Sequence, residues 1–385
     1  MRALVFHKIG DVKVETVKDP IIEKPSDVIV KITTTAICGS DLHILDGMFP
    51  QLKDQVLGHE FMGNIIEVGS MVKKFKIGDR VIVPFPISCG SCWFCEHSLH
   101  THCENSNPQN YGPEGGILKQ KGAGLYGYTD LYGGYAGGQA EYARVLFADD
   151  NCRLAPEGLP DEKVLFLTDI FPTGYASIDW AQMKGGESVA VFGCGPVGLM
   201  AQKTAWLKGA SRVIGVDVEE YRLKTARVVC MSETSKAKDS HAIQKIREMT
   251  GGRGADVVVD AVGMEPDRSI LDRMASVVRM EKGSINALKM CFDAVRRGGM
   301  VSIVGVYGMN YDNFPLAQIF EKGLTIRAGQ VMVHNYIDHL MTLVREEKIV
   351  LNDIITHRLP LAEAERAYKM FRDKEDNCVK VIMNP

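Results

Sequence analysis

The sequence predicts a two-domain α/β protein: one β-rich domain, and a second built as a doubly wound parallel sheet. Three observations carry this. The chain has 385 residues, more than one hydrophobic core usually serves. Its first part consists of short β-rich runs broken by Gly, Pro and Asp. From about residue 160 the rhythm changes to short apolar runs, most of them separated by amphipathic or Ala-rich segments, the pattern of parallel βαβ units.

In order along the chain, RALVFH, DVIVKITTTAIC, NIIEVGS and DRVIVPF are the strands of a barrel-like domain. Residues 104–138, rich in Gly, Tyr and Asn, predict a long loop rather than a packed element. SVAVFG (188–193), RVIGVD (212–217), ADVVVDAVG (255–263), MVSIVGVYG (300–308) and LTIRAG (324–329) are the parallel strands. A third strand of that series, due near SETSKAKDS, is not legible. The tail beyond about residue 331 folds back onto the first domain. The expected division is 1–164 with 332–385, and 165–331.

Composition excludes several classes. Hydrophobic residues at 45% and charged residues at 24% describe an ordinary soluble globular protein. A formal net charge of -3 argues against nucleic acid as a partner, since phosphate binding needs a concentrated basic surface. The N-terminus lacks the pattern of a secretory signal, and no uncharged stretch is long enough to span a bilayer. A cytoplasmic location is expected. There, ten cysteines are not a disulfide framework, and clustered ones bind metal.

GCGPVG lies between an apolar strand and an Ala-rich segment. Gly193 permits a tight turn, Gly195 lets a pyrophosphate approach the backbone, and Gly198 lets helix and strand pack closely. Pro196 and Val197 complete the turn, with the phosphates at a helix N-terminus. Asp217 ends the next strand, where a carboxylate accepts the ribose 2′-hydroxyl and repels a 2′-phosphate, so NAD is expected rather than NADP. Arg222 either stacks on adenine or contacts the ribose, or is a solvated helix charge.

Residues 88–103 hold Cys89, Cys92, Cys95 and Cys103, spaced so that one lobe (about 88–104) can wrap four thiolates around zinc. Such a closed site is structural. His97, His100 and His102 are then lobe-surface residues. A reactive metal needs three ligands and an open position, and Cys38 and His59 are able to supply two of them.

Residues 58–72, with Gly58, His59, Glu60, Gly63, Gly69 and Val72, resemble the zinc signature of the medium-chain alcohol dehydrogenase family. CGSDLH resembles the segment supplying its first zinc ligand, and GCGPVG its nucleotide turn. The resemblance implies a GroES-like catalytic domain and a Rossmann cofactor domain, one catalytic and one structural zinc per chain, and NAD. It implies Cys38 and His59 as catalytic ligands. Asp169 stands where many members have a third, cysteine ligand, which resembles the branch of glutathione-independent formaldehyde dehydrogenases. The 32 residues from Met264 to Val295 exceed the link of many relatives and in that branch help cover the cofactor, with Arg268 as a contact.

Ser40 matches the relay hydroxyl and His43 the histidine that hands the proton to solvent, a role suited to a side chain titrating near neutrality. By the same resemblance Gly39, Ser40, His43 and Val262 join the cofactor contacts, and Glu60 is a neighbour or transient ligand of the metal. The implied reaction is NAD-linked oxidation of a small alcohol or hydrated aldehyde, by hydride transfer from an alkoxide held on zinc. Aldehyde dismutation, or general alcohol, polyol or amino-alcohol oxidation, are the alternatives. A homo-oligomer is expected, a tetramer before a dimer.

Overall fold

The structure, a computed structural model, describes residues 1–48, 54–107, 122–263, 285–307 and 314–385, with backbone alone at 265–266 and 283–284. Arg268 lies outside the described residues. The chain divides into two units, Met1–Pro172 with Met332–Pro385, and Thr173–Val331. The division thus falls at Pro172, later than the expected 164, and Asp169 belongs to the first unit.

In the first unit β1 (Arg2–Lys8) pairs with β2 (Asp11–Thr16) and β4 (Gln55–Val56). A larger sheet is built on β3 (Val28–Ala36), β5 (Glu60–Val68), β6 (Arg80–Val83), β7 (Tyr142–Val145) and β8 (Arg153–Leu154). Val28, Val30 and Ile32 of β3 pack with Phe61, Ile65, Val81 and Val83, which fixes the register through burial. That register pairs Ala36 with Glu60 in antiparallel order. Cys38 and His59 therefore leave the sheet at the same edge. Cys38 stands just before α1 (Gly39–Leu45).

The loop expected over 104–138 is irregular where it is described, with a two-residue strand at Gly124–Leu125 and a 3-10 turn at Asp130–Tyr132. It is nevertheless packed, since Tyr126 and Tyr128 are buried. Gly127 and Gly137 explain how: a Cβ on either would fall 2.5 or 2.3 Å from the backbone of Gly58. Only glycine lets this loop close against the residue before His59.

The second unit holds a six-stranded parallel sheet: β9 (Ser188–Phe192), β10 (Arg212–Asp217), β11 (Glu233–Lys236), β12 (Ala255–Asp260), β13 (Val295–Ile303) and β14 (Thr325–Ala328), in the order β11-β10-β9-β12-β13-β14. Alternate residues of β9 enter different cores, Ala190 and Phe192 one, Val189 and Val191 the other, so both faces are covered. Among the covering helices are α3 (Pro196–Leu207) and α4 (Glu220–Val229); α2 (Ile170–Asp179) spans the boundary between units. The strand missing from the sequence reading is β11. ETSK is a sheet-edge segment in which Ser235 alone is buried, so it carries no apolar run.

The chain returns to the first unit through α5 (Val333–Arg345), β15 (His357–Pro360), α6 (Ala364–Asp373) and β16 (Val381–Asn384). β16 pairs with β3, Ile382 opposite Ala36, which brings Lys380 alongside Cys38. Among the described residues no helix is long and apolar enough to cross a membrane.

Candidate active site

Among the described residues two groups of side chains could hold a metal ion: Cys38, His59, Glu60 and Asp169, and Cys89, Cys92, Cys95 and Cys103. In the first, Asp169 Oδ2 lies 3.5 Å from Cys38 Sγ and 3.3 Å from His59 Nε2. With metal–ligand bonds of ~2.0–2.3 Å, the edges of a tetrahedron are roughly 3.3–3.8 Å, so these spacings suit three ligands of one ion. Asp169 reaches this point because the buried 3-10 turn Leu165–Thr168 is anchored by the Phe85 N–H, which donates to Thr168 O.

His59 is oriented from behind. The Asp41 carboxylate lies 3.1 Å from its Nδ1, which places the ring proton there and leaves the Nε2 lone pair for a metal. Asp41 is itself held: its Oδ2 accepts the Cys38 N–H at 2.9 Å and the Gln139 amide at 3.3 Å. Gln139 also donates to Ala36 O and accepts the Tyr368 hydroxyl from α6. A buried chain of three side chains, Asp41, Gln139 and Tyr368, thus stands behind one imidazole. Asp41 and Gln139 were not singled out in the sequence; the only cue was a carboxylate three residues after Cys38, where it can cap α1.

Glu60 and Lys380 form a wholly buried pair at 2.6 Å, and the Lys380 ammonium also donates to Ile37 O. Burial pushes the Cys38 thiol up, with Asp169 adding to it, and raises Glu60 despite Lys380. For His59, burial alone would favour the neutral ring, but Asp41, Cys38 and Asp169 lift it well above the usual range. Such a concentration of acidic groups in a buried site is what a divalent cation neutralises.

Ser40 Oγ lies 3.3 Å from His59 Nε2, beside the ligand atoms. His43 departs from expectation: burial, opposed by Asp41, holds it down to about 4, so it stays neutral instead of titrating near pH 7. Phe85 and Tyr128 meet the His59 ring edge-on at 6.1 and 6.2 Å and give the site an aromatic wall.

In the second group the sulfur separations are 3.4 Å (Cys92–Cys95), 3.9 Å (Cys92–Cys103) and 4.0 Å (Cys89–Cys95), near the ~3.8 Å edge of a tetrahedral zinc–thiolate site. All four thiols are free of disulfides. Backbone and side-chain donors already point at the sulfurs, Cys89 N–H at Cys103 and Asn105 at Cys89. His97 and His102 are exposed, as expected of surface residues. His100 is not: it is half-buried, 3.0 Å from Ser88 Oγ, and stacks on His334 with centroids 4.7 Å apart.

That stack has a pH consequence. Burial, with His100 and Arg153 nearby, keeps His334 well below 6.5. The unfolded side chain takes up a proton as pH falls below about 6.5 while the folded one does not, so stability declines there on acidification. His334→Gln is expected to flatten the dependence of the melting temperature on pH between 7.5 and 5; an unchanged slope would contradict the assignment.

The nucleotide turn has the predicted build. Gly193 takes a φ of +91°, α3 begins at Pro196, and a Cβ on Gly198 would sit 1.8 Å from Gly193 O. Beside Gly195 the nearest group is the Arg222 Nη1, 4.0 Å from where a Cβ would be, so a phosphate can reach the backbone. Asp217 accepts the Cys194 N–H at 2.7 Å and the Glu219 N–H at 2.9 Å, and its remaining lone pairs can take a ribose hydroxyl. Arg222 is half-buried, 3.9 Å from Asp217, rather than a solvated charge. Gly198→Ala is expected to raise the dissociation constant for NADH at least tenfold, because overpacking of ~1–3 kcal/mol must distort the turn. Unchanged NADH fluorescence titrations would count against the turn as the cofactor cradle.

Comparison with known proteins agrees in kind. The alcohol dehydrogenase GroES-like domain matches residues 24–156, and the zinc-binding dehydrogenase domain residues 196–281. An uncharacterized zinc-type alcohol dehydrogenase-like protein of Bacillus subtilis is 45% identical over the whole of both chains. A glutathione-independent formaldehyde dehydrogenase of Pseudomonas aeruginosa is 32% identical, covering 96% of this chain and 94% of its own. The solved alcohol dehydrogenase of Thermus sp. ATN1 superimposes with a TM-score of 0.85 at 35% identity, over 100% of this chain and 99% of its own. With identity sustained from end to end, the chain belongs to the zinc-dependent medium-chain alcohol dehydrogenase family.

Proposed function

We propose that this chain is an NAD-linked dehydrogenase that oxidises a small alcohol or hydrated aldehyde at a zinc held by Cys38, His59 and Asp169, with a second, structural zinc on Cys89, Cys92, Cys95 and Cys103. The observation that carries the reading is the spacing of Asp169 Oδ2 from Cys38 Sγ and His59 Nε2, both near a tetrahedral edge, with the Asp41 carboxylate 3.1 Å from the far nitrogen of His59. When bound, zinc supplies Lewis acidity toward a hydroxyl oxygen, and NAD supplies a hydride acceptor.

The remaining work falls to side chains. Cys38, His59 and Asp169 orient the site. Ser40, beside His59, is placed to relay the proton of the substrate hydroxyl; His43, held down to about 4 by burial, is too weak a base to retain that proton near neutrality and at most passes it on. The rings of Phe85 and Tyr128 limit the room beside His59 and exclude water, which favours a small substrate. Asp217 disfavours a 2′-phosphate and so favours NAD over NADP.

Initial rates of NADH and NADPH formation with ethanol, formaldehyde, sorbitol and threonine, with and without glutathione, test the reading. Glutathione-independent turnover of formaldehyde or a short alcohol with NAD is expected. Turnover confined to sorbitol or threonine would favour the polyol or amino-alcohol alternative. Release of both alcohol and acid from an aldehyde without added NAD would identify a dismutase.

A further inference from the structure

The order β11-β10-β9-β12-β13-β14 places the topological switch between β9 and β12, and in such sheets the ligand lies outside the carboxyl ends of the strands at that point. Asp260 is the last residue of β12, opposite Phe192, and is wholly buried. Two loops leave the sheet here, Ala261–Gly263 after β12 and Val304–Tyr307 after β13, and Asp260 holds both.

Its Oδ1 accepts the Val262 N–H at 3.0 Å and the Gly263 N–H at 3.3 Å, its backbone carbonyl accepts the N–H groups of Val304 and Gly305, and its Oδ2 accepts the Tyr307 hydroxyl. Between the loops the fit is backbone on backbone: a Cβ on Gly305 would lie 2.3 Å from Gly263 N, and one on Gly263 2.7 Å from Val306 N and O. The first loop meets the nucleotide turn as well, since a Cβ on Gly193 would fall 2.8 Å from Ala261 O. Burial also raises the Asp260 carboxyl, against its hydrogen bonds from Tyr307, Val262 and Gly263.

We propose that Asp260 and Tyr307 are positioning residues that set the nicotinamide half of the dinucleotide crevice by locking the 261–263 and 304–307 loops together. The proposal rests on the dinucleotide reading above. Asp217 on β10 marks the adenosine side, so the other half of a dinucleotide lies toward β12 and β13, where this pair stands. Tyr307→Phe removes the hydroxyl that joins the second loop to Asp260 and leaves the ring in place.

The test compares two probes on the full chain. NADH spans both halves of the crevice, and AMP only the adenosine half. For Tyr307→Phe the NADH dissociation constant is expected to rise about tenfold, the effect of losing one hydrogen bond to a charged acceptor. AMP should bind as to wild type within about twofold, and the melting temperature should fall by no more than a few degrees, the cost of one internal hydrogen bond. Asp260→Asn, which keeps the shape of the side chain, should give the same split between probes. Unchanged NADH affinity, or equal weakening of NADH and AMP, would overturn the proposal. A wild-type chain that binds neither probe would instead overturn the dinucleotide reading itself.

Discussion

Asp169→Ala is expected to yield a folded protein that carries one zinc fewer per chain and has lost about a thousandfold or more in kcat/KM, the several kcal/mol that a Lewis acid contributes to such a transition state. The loss follows from geometry. Asp169 Oδ2 lies within the tetrahedral edge range of both partners, 3.5 Å from Cys38 Sγ and 3.3 Å from His59 Nε2. Without it two protein ligands remain, and Glu60 is tied to Lys380. Stability should change little, because removing a buried carboxylate from an acidic cluster relieves as much repulsion as it removes contact. Asp169→Cys should keep the metal, since thiolate is an ordinary zinc ligand. Zinc measured by atomic emission beside initial rates decides the matter; normal turnover and full zinc in the alanine variant would remove Asp169 from the site.

Cys103→Ser should also cost one zinc, but the consequence is different. Among the described residues the lobe's own buried apolar group is Cys92, Cys95, Cys103 and Ala123, with Cys89 and Phe94 beside it, a small core to hold sixteen residues in place. Burial moreover pushes Cys95 up to about 12, so a zinc ion bound there would displace a proton, and the order of the lobe would then be linked to the ion. A fall in melting temperature of roughly 10 °C or more is expected, corresponding to several kcal/mol in a domain of this size. Limited proteolysis should find new cleavage between 88 and 104. Wild-type melting and zinc content would show that the four thiols hold no structural metal.

How much of this was legible in the sequence depended on what each element buries. The strands of the parallel sheet were readable because they are apolar on both faces, as in SVAVF and RVIGVD. β11 was not, because an edge strand with one buried residue needs no apolar run. Cys38 and His59 could be named from local motifs, yet only the register of β3 on β5 explains why they emerge together. Asp169 came from a family resemblance, since no periodicity marks a carboxylate between a 3-10 turn and a helix.

The supporting residues were the least visible. Lys380 sits in the apolar run CVKVIM, where a lysine ordinarily points to solvent, and its burial is explained only by Glu60 and Ile37 arriving from elsewhere in the chain. Gln139 and Tyr368 reach Asp41 from segments far from it in sequence. His43 was recognised as a residue, but its environment was not, and burial moved its titration well away from neutrality.

Anomalous diffraction at the zinc edge, from crystals of the wild-type protein grown with NAD, bears most directly on the proposed chemistry. Two peaks per chain are expected, one among Cys38 Sγ, His59 Nε2 and Asp169 Oδ2 and one among the four lobe sulfurs. A single peak in the lobe, in a protein that still oxidises alcohols or aldehydes with NAD, would contradict the assignment of the reaction to a zinc at Cys38, His59 and Asp169.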